Sequence, residues 1–320
     1  MLPQLSAWRS IVRHTSTSAV AVLSSSSGSR LSIAARRVPL QPLQPQRYTA
    51  QLASRFLSSH AHAKPAAGTS APAAAQAASP IPIINMEPFL KGGTADIQRV
   101  ASEVNRACEE IGFLTVVGHG VPMNTIRSME ELTRQFFDQP EAIKNEIVMT
   151  EDYPYGYSGF LQEKLSKGAG DKNAFADLKE SFCIGPYNPL AGMPAIRWPS
   201  KPAELATAWL NYYKSMEVLA SNILQMFALA LGMPRNFFED KINKHRSALR
   251  ALNYPEQTTP PAPGQLRAGA HTDYGSVTIL LQDAVGGLQV VTKNGQWQDV
   301  PYIPDAYVIN LGDLVRLLSL

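Results

Sequence analysis

Residues 268–291 read AGAHTDYGSVTILLQDAVGGLQVV, and the first turn of this stretch decides how the rest of the chain is understood. In an extended strand residues i and i+2 project from one face, so the spacing predicts His271 and Asp273 pointing together into an interior while Thr272 turns away. A neutral imidazole and a carboxylate on one face are two of the three groups in a facial triad that holds nonhaem Fe(II) and leaves coordination positions open. Taken alone, His-x-Asp suits a surface turn or a hydrogen-bonded core pair equally well. The run that follows, SVTILLQD, reads as a buried strand, and Asp283 with Gly286-Gly287 as the hairpin turn that ends it.

Working outward, short β-rich runs fill the chain from Ser247 onward: SALRALNYP, QLRAGAHTD, SVTILLQD, GLQVVT, QWQDVPYI and AYVINLG, separated by Gly, Pro, Asn and Asp. Strands at such intervals predict an antiparallel sandwich or barrel. Upstream the texture is helical. In ADIQRVASEVNRACEEIG, Ile97, Val100, Val104, Cys108 and Ile111 recur at helical spacing, with Gly112 as the terminal cap. MNTIRSMEELTRQFFDQP predicts a second helix ended by Pro140, and an apolar stretch over 203–231 a long third one stopped by Gly232 and Pro234. IPIIN (81–85), FLTVV and 178–184 predict strands, and the turn-rich parts of 150–200 predict loops. The fold class expected is α+β: an N-terminal helical region and a jelly-roll core.

Charge is distributed unevenly. Of 29 Lys and Arg, eight lie in residues 1–86, where there is no acidic residue, leaving 21 bases against all 26 acids in the body. A body near −5 offers no general attraction for a phosphate backbone, so a nucleic-acid partner is not expected. Residues 1–60, rich in Arg, Ser and Ala, have the composition of a mitochondrial transit peptide; a basic arm on a cytoplasmic protein is the alternative. Residues 61–80, Ala- and Pro-rich, read as a linker, with ordered structure beginning at Ile81. No apolar run is long enough for a membrane span. Cys108 and Cys183 read as reduced core residues. No Walker, Gly-x-Gly-x-x-Gly or Gly-x-Ser-x-Gly pattern is present.

The run LRAGAHTDYGSVTILLQDAVGGLQVV, with WQDVP, YVINLGDL, IPIINMEPF, GFLTVVGHGVP, Phe136-Phe137 and DLKESF, resembles the Fe(II)- and 2-oxoglutarate-dependent dioxygenases of the isopenicillin N synthase-like type over roughly 81–316. That resemblance implies a double-stranded β-helix at 247–320, supporting helices at 201–246 and an N-terminal dioxygenase region at 81–200. It implies that His271 and Asp273 are iron ligands, that Tyr254 of LNYP contacts 2-oxoglutarate, and that dioxygen and a small organic molecule are the other reactants. Loops between 150 and 200 become candidate substrate contacts. One departure stands out. The family pattern continues after NLGDL to a third ligand His and an Arg-x-Ser for the far carboxylate of 2-oxoglutarate, whereas here VRLLSL follows and the sequence stops. His14, His60, His62, His119 and His245 do not replace the ligand, and Arg316 lies too close to the strand to replace the arginine. The expectation is a jelly roll incomplete at its C-terminus, with weakened Fe(II) and 2-oxoglutarate binding. Two alternatives follow: a catalytically impaired isoform acting only as a binding or regulatory protein, and a jelly-roll binder without metal. Family members that use iron and dioxygen without 2-oxoglutarate also remain open.

Overall fold

The computed structural model describes residues 12–13, 18–23, 81–168, 175–273 and 275–313, with backbone alone for 12–13, 18–23 and 167–168. In chain order its elements are β1 (Val12–Arg13), β2 (Ser18–Leu23), β3 (Ile83–Asn85), α1 (Glu87–Lys91), α2 (Thr94–Glu110), β4 (Phe113–Val117), α3 (Met123–Phe137), α4 (Glu141–Lys144), β5 (Gly156–Ser158), α5 (Leu165–Gly168), β6 (Glu180–Ile184), α6 (Leu205–Ala230), α7 (Glu239–Ile242), β7 (Ala248–Asn253), β8 (Val277–Gln282), β9 (Gln289–Val291), β10 (Trp297–Asp299) and β11 (Tyr307–Leu311).

Eight strands form one sheet in the order β3-β4-β11-β8-β2-β7-β6-β5, and three form a second, β1-β9-β10. All ladders are antiparallel except β3 with β4. Alternation along the strands separates two apolar layers. On one face Leu249, Ala251, Val277, Ile279, Leu281, Tyr307 and Ile309 join the cluster built around α6, α2 and α3. On the other, Leu252, Tyr254, Leu280, Val308 and Phe113 meet Leu288, Val290 and Val300 from the small sheet and its flanks. The α+β, jelly-roll expectation holds.

Helix α6 is apolar on most of its circumference, which suits its position between sheet and helices. Trp209, Tyr212, Ile223 and Phe227 are almost completely buried along it, and each such side chain contributes roughly 1.5–3 kcal/mol of burial energy. The Trp209 Nε1–H donates to Thr133 Oγ1 of α3 at 2.9 Å, so its one polar atom is satisfied. Phe136, Phe137, Cys108 and Cys183 are buried, as the sequence reading expects, and both cysteines are free. No helix among the described residues is long and apolar enough to cross a membrane.

Two expectations need correction. Structure does not begin at Ile81, because two strands precede it. Strand β2 pairs with β7 (Ala19 opposite Ala251) and with β8 (Ala19 opposite Leu281), filling the space between them. SAVAVL is uncharged and β-branched at alternate positions, and so is suited to a central strand once tertiary partners are available. The second correction concerns the His-x-Asp segment: among the described residues, 269–273 form no strand, and His271 stands in an isolated bridge. The linker expected at 61–80 lies outside the described residues.

Candidate active site

The segment between β7 and β8 carries His271 and Asp273 on a turn-like path. Their side chains converge nonetheless: His271 Nε2 lies 3.5 Å from Asp273 Oδ1, and each side chain keeps 16% of its surface accessible. Local hydrogen bonds, not strand pleating, produce the convergence. His271 Nδ1 is 2.9 Å from the carbonyl oxygen of Gly269. A carbonyl only accepts, so Nδ1 carries the proton and the lone pair of the neutral ring sits on Nε2.

Asp273 is held from the opposite side. Its Oδ2 accepts from Thr278 Oγ1 at 2.7 Å and from Asn310 Nδ2 at 2.9 Å, leaving Oδ1 toward the imidazole. Burial by itself would raise the carboxyl pKa. The hydrogen bonds of Asn310 and Thr278 oppose burial and favour the ionised carboxylate, and an imidazolium form of His271 would lower the pKa further. The backbone is fastened as well: Asp313 N donates to Asp273 O at 2.8 Å, and Thr272 Oγ1 donates to Asp313 Oδ2 at 3.0 Å. Gly312 is required for this approach, since a Cβ there would stand 1.9 Å from Gly275 O. Asp313 thus ties the end of β11 to the His-x-Asp segment.

Tyr254 is 7% exposed in the layer between the sheets, and its hydroxyl has no hydrogen-bond partner there. Burial raises its pKa well above the ordinary phenol value. A buried hydroxyl left unpaired costs on the order of 1–3 kcal/mol and is the sort of group that a polar ligand satisfies. Nearby on the inner face of the sheet a charged cluster extends from β6 and β7. Arg250 donates to Glu163 and, at 2.9 Å, to Ser181 Oγ; Lys179 Nζ pairs with Glu163 at 2.8 Å and Asp177 at 3.2 Å. Burial opposes ionisation of Glu163, but Arg250 and Lys179 prevail and lower its pKa.

The other histidines behave as structural groups. His119 Nδ1 accepts from Val121 N at 3.1 Å while Nε2 meets Asp305 O at 3.0 Å, and His245 pairs with Glu217 at 3.0 Å. His14, His60, His62 and Arg316 lie outside the described residues. Among the described residues no group of three or more His, Cys, Asp or Glu side chains is arranged to hold a metal. The pair His271 and Asp273 could supply two donors. Cis ligands of a cation at about 2.1 Å stand roughly 3 Å apart, so small rotations of the two side chains would suffice.

Two family models cover most of the body: the non-haem dioxygenase in morphine synthesis N-terminal region at residues 81–206, and the 2OG-Fe(II) oxygenase superfamily at 245–320. This chain belongs to the 2OG-Fe(II) oxygenase superfamily. Homoarginine-6-hydroxylase of Glycine max is 31% identical over 260 residues, covering 75% of this chain and 77% of that protein. Validamycin A dioxygenase of Streptomyces hygroscopicus subsp. limoneus is 29% identical over 247 residues, covering 74% and 67%. Among solved structures, a full-length Neurospora crassa protein in complex with alpha-KG and thymine superimposes with a TM-score of 0.66 at 29% identity, covering 73% of this chain and 74% of that one. As a superfamily member this is a 2-oxoglutarate- and Fe(II)-dependent dioxygenase, with Fe(II) as cofactor and 2-oxoglutarate as cosubstrate.

The residues present suit those groups in part. An imidazole lone pair beside an ionised carboxylate is a hard-to-borderline donor pair appropriate to Fe(II), and an unpaired buried hydroxyl suits an oxyacid. Sequence reading singled out His271, Asp273 and Tyr254 but missed the residues that hold them: Thr278, Asn310, Gly269 and Asp177. Asn310 was detectable as a polar residue at an inward position of the apolar run YVINL, and Asp177 as an acid abutting a buried strand.

Proposed function

We propose that this oxygenase oxidises a C–H bond of a small polar organic molecule, with His271 Nε2 and Asp273 Oδ1 holding Fe(II) and the Tyr254 hydroxyl donating to 2-oxoglutarate. One observation carries the assignment. Gly269 O lies against His271 Nδ1 and Thr278 with Asn310 holds Asp273 Oδ2, which brings Nε2 and Oδ1 to 3.5 Å from each other. Bound Fe(II) would supply dioxygen activation coupled to decarboxylation of 2-oxoglutarate. The chain's own part would be to present His271 Nε2 and Asp273 Oδ1 together as donors. Two relatives are named for homoarginine and validamycin A, and a third is solved with thymine; all are small polar compounds, which supports a substrate of that class.

A further reading concerns residues 1–60. The acid-free, Arg-bearing composition of residues 1–60 supports mitochondrial targeting, whereas the pairing of β2 inside the sheet supports retention of at least residues 18–23. The acidic balance of the body supports the absence of a nucleic-acid partner.

The test is succinate formation from 2-oxoglutarate by the purified chain under aerobic conditions with Fe(II), alongside His271→Ala and Asp273→Asn. Turnover that disappears in both variants supports the assignment. Turnover preserved in either removes that residue from the metal. Import of the chain into isolated mitochondria, followed by N-terminal sequencing, decides the targeting reading.

A further inference from the structure

Three candidates stand outside the metal pair. The first is a surface cavity of about 420 Å³ around Tyr187, Glu217 and His245, whose polar groups already satisfy one another. The second is the buried network of Lys144, Tyr157, Glu180 and Asn253, which is closed on itself. The third, Asp177, reaches the metal segment through a chain of hydrogen bonds.

Asp177 is 2% exposed, just before β6, and its two oxygens are divided between two tasks. Oδ2 accepts from Leu165 N at 3.0 Å and from Lys179 Nζ at 3.2 Å, which anchors the start of α5 and neutralises the buried charge. Oδ1 accepts from Gly269 N at 2.9 Å. Gly269 is the residue whose carbonyl oxygen receives His271 Nδ1–H. The two peptide groups flanking Gly269 therefore face opposite duties: the N–H is clamped by Asp177, and the C=O determines which nitrogen of His271 keeps its lone pair.

Space at Gly269 supports the same conclusion. A Cβ there would stand 2.8 Å from Ser166 Cβ and Oγ and 2.9 Å from Ser166 N. Glycine is thus pressed against the first turn of α5, where a larger residue would not fit, while its N–H meets the carboxylate of Asp177. The backbone on either side is fastened too, by Leu178 N to Leu266 O at 3.2 Å and Gln265 Nε2 to Ala176 O at 2.9 Å.

We infer that Asp177 is a positioning residue for the metal site, acting through the Gly269 peptide to hold His271 in the tautomer and orientation that present Nε2. The inference deepens the assignment of His271 as a ligand and rests on that reading. Outer partners of this type commonly alter metal affinity by roughly 10–100-fold when removed. Asp177 touches neither donor and reaches His271 by hydrogen bonds through Gly269.

The experiment has two readouts on the full chain. In the metal-free protein, 15N chemical shifts of the His271 ring report the tautomer. Mn(II) alone, titrated under inert gas, reports affinity. Asp177→Ala is expected to convert a single Nδ1–H tautomer into a mixture and to weaken Mn(II) binding roughly tenfold. Asp177→Asn, whose Oδ1 can still accept from Gly269 N, should restore both while remaining less stable to urea because its NH2 faces Leu165 N and Lys179. Lys179→Met, which disturbs the same charge cluster without touching Gly269, should lower stability and leave the tautomer unchanged. An unaltered tautomer in Asp177→Ala overturns the inference, as does Lys179→Met weakening Mn(II) binding to the same extent. If Asp177→Ala does not fold, failure of Asp177→Asn to keep the wild-type tautomer and affinity overturns it equally. Wild-type protein that binds no Mn(II) while Asp177→Ala still shifts the tautomer would refute the ligand assignment and leave the Asp177–His271 coupling intact.

Discussion

Asn310, on β11, donates a 2.9 Å hydrogen bond to Oδ2 of Asp273, tying the strand farthest along the described chain to the carboxylate of the candidate metal pair. Loss of this donor should be felt twice. Asn310→Leu leaves Oδ2 with Thr278 alone, removes one of the contacts that depress the Asp273 pKa, and frees the carboxylate to rotate. The expected outcome is a stability loss of about 1–2 kcal/mol in urea unfolding and weaker Fe(II) binding. Anaerobic Fe(II) titration next to a denaturation curve checks both.

Tyr254→Phe should move stability and ligand affinity in opposite directions. The hydroxyl is buried without a partner, so its removal is expected to stabilise the ligand-free chain by roughly 1 kcal/mol. If the hydroxyl donates to 2-oxoglutarate, the same change raises the KM for 2-oxoglutarate severalfold. A variant that is more stable with unaltered KM would remove Tyr254 from the cosubstrate site.

The Lys144–Glu180 pair gives a sharper stability test. Lys144 Nζ meets Glu180 Oε2 at 2.9 Å where both side chains are nearly inaccessible, and Tyr157 and Asn253 also donate to Glu180. Lys144→Met leaves a buried carboxylate short of its counter-charge and should cost about 3–5 kcal/mol, whereas Lys144→Met with Glu180→Gln should cost much less. A double-mutant cycle in urea measures the coupling.

Acid should loosen the inner-face cluster. Arg250 and Lys179 hold the folded-state pKa of Glu163 below its unfolded value of about 4.3, so its contribution is fully present above that value. It is lost as pH falls through the depressed folded-state pKa. Glu163→Gln is expected to be less stable at neutral pH and to show a flatter stability profile below about pH 4. Thermal unfolding across the acid-to-neutral range distinguishes the two profiles.

Thiol chemistry should be silent until the chain unfolds. Cys108 and Cys183 are almost wholly inaccessible; burial raises the Cys108 thiol far above its usual range and pushes Cys183 up to about 11. Ellman's reagent at neutral pH should find no reactive thiol in the native protein and two after denaturation.

Element by element, local pattern carried most of the architecture. Helix α2 follows the apolar spacing from Ile97 to Ile111, α6 runs over Leu205–Ala230 within the apolar stretch, and β8 coincides with VTILLQ. These signals are legible because burial imposes a period on the residues themselves. The site was half legible. The donor types His271 and Asp273 stand out by chemistry, but the expected strand pleat was the wrong cause of their convergence. What brings them together is a set of hydrogen bonds to Gly269, Thr278 and Asn310, which depend on tertiary approach and leave no mark at fixed spacing. Strand β2 was hidden for a similar reason: SAVAVL reads as an ordinary part of an Arg- and Ser-rich leader until β7 and β8 supply ladders on both sides.

The position of β2 also sets an order of events in biosynthesis. Its six residues leave the ribosome early, yet their partners in β7 and β8 emerge only after the whole helical region has been made. The nascent chain must keep this early strand uncommitted until then, and closing so wide a loop makes the centre of the sheet a late and slow step. During that delay two unzipped strands stand ready to recruit neighbours, so the yield of native protein should depend on chaperone supply and on low chain concentration.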